Sequence, residues 1–103
     1  MSDFIEALVT LIPSEAGGRA SAIFPRYGSY RPFVSTSGGE RLRIRIIEGP
    51  PSIAPGHDGR IVAEIETPAG SLQVAAGVEL DLIENERCVG ILSVTRLCRA
   101  VPA

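Results

Sequence analysis

From Gly77 to Leu97 the chain alternates apolar and polar positions, with Val78, Leu80 and Leu82 separated by Glu79 and Asp81. After Glu84-Asn85-Glu86-Arg87 the pattern resumes with β-branched character along Val89, Ile91, Ser93 and Thr95. A period of two sends one row of side chains into a core and the other into water. The polar interruption therefore predicts a hairpin of two strands. Arg41 to Ile47 repeats the alternation, with Leu42, Ile44 and Ile46 expected inward and Arg41, Arg43 and Arg45 outward. Arg60 to Thr67 does so again through Ile61, Ala63 and Ile65, and shorter strands are expected at Phe33 to Thr36 and Leu72 to Ala75.

The first segment has two readings. Phe4, Ile5, Leu8, Val9, Leu11 and Ile12 fit a helical face, with Asp3 and Glu6 spaced as a capping box. Ile5, Ala7, Val9 and Leu11 equally line one side of a strand, and Pro13 ends either element. Pro13 to Pro32 reads as loop: Gly17-Gly18 permits positive φ, and Pro25 and Pro32 bar regular helix. Turns are expected at Ser37-Gly38-Gly39-Glu40, Glu48-Gly49-Pro50-Pro51, Pro55-Gly56-His57-Asp58 and Pro68-Ala69-Gly70. Six or seven short strands at such turn spacing indicate an all-β sandwich or small barrel. Arg99 to Ala103 reads as a frayed end.

Length and composition narrow this picture. The 103 residues, 45% hydrophobic and 21% charged, suffice for one globular domain spanning residues 1–103. All ten cations are arginine. Without lysine, P-loop phosphate binding and Schiff-base chemistry are both excluded. The formal charge of −2 is unevenly spread. Residues 1–15 carry −3 through Asp3, Glu6 and Glu15, and residues 16–47 carry +5 through six arginines against Glu40. Residues 48–103 carry −4, from four arginines and eight carboxylates.

Cys88 and Cys98 are the two cysteines. On one continuous strand they would stand roughly 33 Å apart, far beyond the ~7 Å limit of a disulfide. Two thiols and the lone His57 do not make a four-coordinate zinc site, and no cofactor is expected. His57 follows Pro-Gly in a turn without an evident acid or nucleophile partner, as a surface histidine would. No basic-then-apolar leader and no membrane-length apolar run occur, so the expected location is cytoplasmic with no membrane partner.

Two basic stretches are candidates for binding. One is the loop where Arg19, Arg26 and Arg31 interleave with Phe24, Tyr27 and Tyr30, a composition suited to base stacking or to a protein interface. The other is the stripe Arg41, Arg43 and Arg45, whose members stand about 6.6 Å apart along a strand and could meet phosphates. Against this, Glu64 and Glu66 lie on a strand of the same period and could pair across to the stripe. Similarly, Tyr30-Arg31-Pro32 could merely close a barrel, with its ring buried and its guanidinium on carbonyls.

Several motifs, in order, resemble the C-terminal, third domain of elongation factor Tu. They are Ile5-Glu6-Ala7, Glu15-Ala16-Gly17-Gly18-Arg19, Tyr30-Arg31-Pro32, Pro55-Gly56, Gly77-Val78, and Glu84 through Gly90. Together they span nearly the whole chain. The resemblance implies an antiparallel six-stranded barrel and makes the first segment a strand. It also implies binding without catalysis, since the GTPase domain of that factor has no counterpart here. In the family this domain contributes part of the surface that grips the T stem of aminoacyl-tRNA and packs on the GTPase domain and the exchange factor, and Arg19 matches an arginine of that tRNA surface.

Phe33 replaces the family's glutamine, and Asn85-Glu86 replaces its Gly-Gly hairpin turn, where Glu86 adds bulk and a repelling charge. Roughly three residues are also inserted between Arg19 and Tyr30, and as many between Pro68 and Gly77. The expectation is a non-catalytic module binding another protein, such as a GTPase or a second copy of itself. The alternative is binding of tRNA or other structured RNA. The residues expected to carry it are Arg19, Arg26, Tyr27, Tyr30, Arg31, Arg41, Arg43 and Arg45.

Overall fold

The computed structural model describes residues 3–27, 30–66 and 74–98. It is a closed, antiparallel six-stranded barrel: β1 (Asp3–Leu11), β2 (Phe33–Ser35), β3 (Arg41–Glu48), β4 (Asp58–Ile65), β5 (Glu79–Glu84) and β6 (Arg87–Cys98). Around the barrel the order is β1-β4-β3-β2-β5-β6, and β6 returns to β1. Both sequence readings of the first segment thus resolve to strand. Ile5, Ala7, Val9 and Leu11 point inward and are buried. The competing helical reading fails because Leu8, which it needs on the apolar side, lies only half-buried on the outer face.

The alternation in Arg41 to Ile47 and Arg60 to Ile65 holds, and the expected end of the latter at Thr67 lies outside the described residues. Leu42, Ile44, Ile46, Ile61, Ala63 and Ile65 are core residues, joined there by Leu80, Leu82, Val89, Leu92 and Val94. A fully buried Ile or Leu contributes about 1.5–3 kcal/mol, so this interior is the main source of stability. The expected strand at Leu72 to Ala75 lies partly outside the described residues. Val74 is buried in the core but is not part of a strand. Arg99 to Ala103 lies wholly outside them.

Strict alternation breaks at three bulges. Leu82 opposes Gly90 while Ile83 opposes Cys88, Glu6 opposes Arg96 while Ala7 opposes Val94, and Ile46 opposes Ala63 while Glu48 opposes Val62. Each skips one residue of the bulged strand, Val89, Thr95 and Ile47 respectively. An extra residue bends its strand, and a sheet of six short strands needs such bends to close. The Thr95 hydroxyl donates to the Glu6 carbonyl at 2.9 Å at one of them.

The segment expected as plain loop contains two 3₁₀ turns, Ser14–Ala16 and Pro25–Tyr27. Between them, Ile23 and Ile53 exchange a pair of 3.0 Å backbone hydrogen bonds and are both buried, tying two loops together over the core. Backbone bonds from Ile46 to the Tyr30 carbonyl and from Ile44 to the Pro32 carbonyl, both 3.1 Å, extend the sheet beyond β2 and fix Tyr30 beside β3. Cys88 and Cys98 are free thiols near opposite ends of one strand, β6. No helix among the described residues is long and apolar enough to cross a membrane.

Candidate functional site

Arg19 owes its position to the two glycines before it. Gly17 ends the first 3₁₀ turn in the left-handed region at φ 94°. Gly18 then passes so close to the chain that a Cβ there would lie 2.0 Å from the Ile12 carbonyl oxygen. Ser14 Oγ donates to the Arg19 carbonyl at 2.6 Å. The side chain is thereby aimed at Glu84, with Nε 3.2 Å from Oε1, while Nη1 donates to the Ala22 carbonyl at 3.1 Å.

Glu84 stands just before the β5–β6 turn and receives a second donor, the Tyr30 hydroxyl. The Arg19 guanidinium also lies 5.4 Å from the Tyr30 ring centroid. Burial, then the hydrogen bond and the negative charge of Glu84, push the Tyr30 phenol far above its ordinary value of 10.0, with Arg19 opposing. The phenol is therefore a permanent donor at physiological pH, and the Arg19–Glu84–Tyr30 group is a structural clamp.

Two shallow grooves meet at Tyr30. One, of about 280 Å³, is lined by Arg31, Phe33, Arg43, Ile83 and Glu84. The other, of about 220 Å³, is lined by Arg19, Ser21, Ile23 and Phe24. Phe24 is 52% exposed, a large apolar ring left in water. Arg43 lies over the Phe33 ring at 4.1 Å from its centroid and donates from Nη1 to the Arg31 carbonyl at 3.3 Å. Phe33 is thus half of a cation–π pair in the groove wall.

The structure brings together Arg19, Tyr30, Arg31 and Arg43 of the eight expected residues. Arg41 lines neither groove and binds Glu86 at 2.7 Å. Arg45 also lies outside them, with Nη2 donating to Glu64, its cross-strand neighbour, at 3.0 Å. Its Nε is 3.8 Å from Glu66 and makes no hydrogen bond. Arg26 is exposed on the second 3₁₀ turn and lines neither groove, and the Tyr27 side chain lies outside the described residues. Arg31 gives Nε and Nη2 to Glu66 Oε2 at 3.1 and 2.8 Å. Its guanidinium therefore bonds a carboxylate rather than the carbonyls expected for a residue that only closes the barrel.

Sequence reasoning left Phe24, Phe33 and Glu84 out of the site. The signal for Phe24 was its place among the arginines of the loop. Nothing in the sequence ties Glu84 to Tyr30, 54 positions away. A larger groove, of about 300 Å³, runs between Glu6, Glu48, Arg60 and Thr95 and gathers none of the expected residues and no aromatic ring.

Comparison of the chain with protein-family models and with curated protein sequences gives no match.

Proposed function

We propose that the protein is a non-catalytic binding module whose partner is another protein, docked on the Phe24–Tyr30–Phe33 face. The fold-level likeness to the third domain of elongation factor Tu, carried by the ordered sequence motifs, agrees with this reading and supplies the precedent of a barrel that packs on other proteins.

The observation that carries it is the fate of the basic segment. Arg19, Arg31, Arg41 and Arg45 each face a carboxylate of the same chain, at 3.2, 2.8, 2.7 and 3.0 Å. Surface pairs of this kind contribute only about 0–1 kcal/mol each to stability. They do cancel the local field that a phosphate backbone would follow. What remains at the grooves is a mixture of aromatic rings and arginine, the residue types enriched where proteins bind proteins.

The test is capture from a cell lysate on the immobilised full chain, followed by identification of what is retained. A discrete protein retained by the native chain and released by Phe24→Ala with Phe33→Ala supports the module. Retention of tRNA in place of protein, or unchanged retention by the folded double variant, overturns it.

A further inference from the structure

Resting on that reading, we infer that the two grooves meeting at Tyr30 take an uncharged, extended segment of the partner that carries two prolines three positions apart.

The groove walls are aromatic rings already held in place. Tyr30 lines both grooves, with Phe33 in one and the exposed Phe24 in the other. Glu84 holds Tyr30 by its hydroxyl, and the Arg43 guanidinium lies over Phe33. Walls fixed in this way lose little freedom when a ligand covers them. A polyproline II segment is equally pre-set, since proline fixes φ and the helix has no internal hydrogen bonds to break. Three residues complete one turn of about 9 Å, which puts prolines at i and i+3 on one face. They can then lie on either side of the Tyr30 ring, one in each groove.

Hydrogen bonding in the walls selects proline over other extended residues. The acceptors around Tyr30 are already occupied. Carbonyls of Tyr30 and Pro32 take the amides of Ile46 and Ile44, and those of Arg31 and Ala22 take the guanidiniums of Arg43 and Arg19. The Glu84 carboxylate takes Arg19 and Tyr30. A donor is left over at Arg31, whose side chain is 53% exposed: Nε and Nη2 bind one oxygen of Glu66, and Nη1 stands outside that pair. Peptide N–H groups entering here meet rings and filled acceptors. Proline brings a carbonyl without an N–H, and that carbonyl can accept from Arg31.

Charge points the same way. Arg19 and Arg31 are each bound to a carboxylate, and Arg43 is engaged within the chain. An ionic ligand competes with partners already in place, whereas an uncharged one leaves every pair intact.

The experiment is affinity selection of short random peptides on the immobilised full chain, then fluorescence anisotropy with the selected peptides, their alanine-for-proline counterparts and tRNA. Selected peptides are expected to carry two prolines three positions apart, and alanine at either should weaken binding about tenfold. Phe24→Ala and Phe33→Leu, each shown to be folded by thermal melt, should each weaken it about fivefold. Affinity should change less than about twofold between low and high salt, because no charge pair forms across the contact. Selected peptides without paired prolines, or with steeply salt-dependent affinity, that still depend on Phe24 and Phe33 overturn the proline assignment and leave the protein-binding reading standing. Selection of no peptide overturns the inference, and tRNA bound in its place overturns the protein-binding reading as well.

Discussion

The Tyr30 hydroxyl donates to the Glu84 carboxylate across 54 positions of sequence, joining the strand extension before β2 to the end of β5. Because the phenol is stabilised in its neutral form, the folded state holds its proton more tightly than the unfolded chain, whose tyrosine titrates near 10.0. The stability from this contact is complete below about pH 10 and declines as pH rises above it. Tyr30→Phe should cost about 1–2 kcal/mol at neutral pH and remove part of the alkaline decline. Thermal melts of both proteins between neutral pH and pH 11 measure the difference; parallel curves would show that the phenol does not carry it.

The β5–β6 turn places Asn85 at φ 47° and Glu86 at φ 65°. Two successive left-handed residues make the type I′ turn that two-residue hairpins favour, in which glycine is the usual second residue. Glu86 occupies a conformation that L side chains resist, and its carboxylate binds Arg41. Glu86→Gly should raise the melting temperature by about 5 °C, the relief of backbone strain outweighing a surface ion pair. A fall would mean the ion pair dominates.

The Arg41 hydrogen bond, then its charge, hold the Glu86 carboxyl below the usual 4.5. Any stability from this group is present above the unfolded carboxyl pKa and fades as pH falls through the lower folded value. In Arg41→Gln the Glu86 titration followed by NMR should move upward toward 4.5. An unmoved midpoint would place the cause elsewhere.

Gly17 and Gly18 are adjacent but constrained differently. At Gly17 a Cβ meets nothing within 4 Å, yet φ is 94°, so Gly17→Ala should cost about 1 kcal/mol from conformation alone. At Gly18 the obstacle is backbone, with the Ile12 carbonyl oxygen 2.0 Å and its carbon 2.7 Å from the added atom. Gly18→Ala should cost more, about 3 kcal/mol. Urea unfolding of the two variants checks the order, and equal losses would contradict it.

Arg43 and Phe33 form a partly hydrated cation–π pair across neighbouring strands. A double-mutant cycle with Arg43→Gln and Phe33→Leu should give a coupling of about 0.5–1 kcal/mol, the range for exposed pairs. A coupling near zero would reduce the contact to proximity.

The strands were legible because Leu42, Ile44 and Ile46, or Ile61, Ala63 and Ile65, repeat with the period that a half-buried strand imposes. The bulges at Ile47, Val89 and Thr95 were not, since each breaks the period by one residue only where the partner strand demands it. At the site, Arg19, Tyr30 and Arg31 could be found from local composition. Their carboxylates could not. Glu84 and Glu66 reach them only because β5 lies beside β2 and β4 beside β3, an adjacency that strand order decides. The cancellation of the arginine stripe was half visible: Glu64 and Glu66 meet Arg45, whereas Arg41 turns to Glu86 at the hairpin tip.

Closure of the sheet also governs how another chain can approach it. With β6 paired back onto β1, every described strand has a neighbouring strand on both sides. A visiting chain therefore finds no edge strand to extend, the route by which PDZ and PTB domains recruit an extended peptide. The proposed binding role then falls to side chains, and the lack of an edge strand guards the protein against edge-to-edge aggregation.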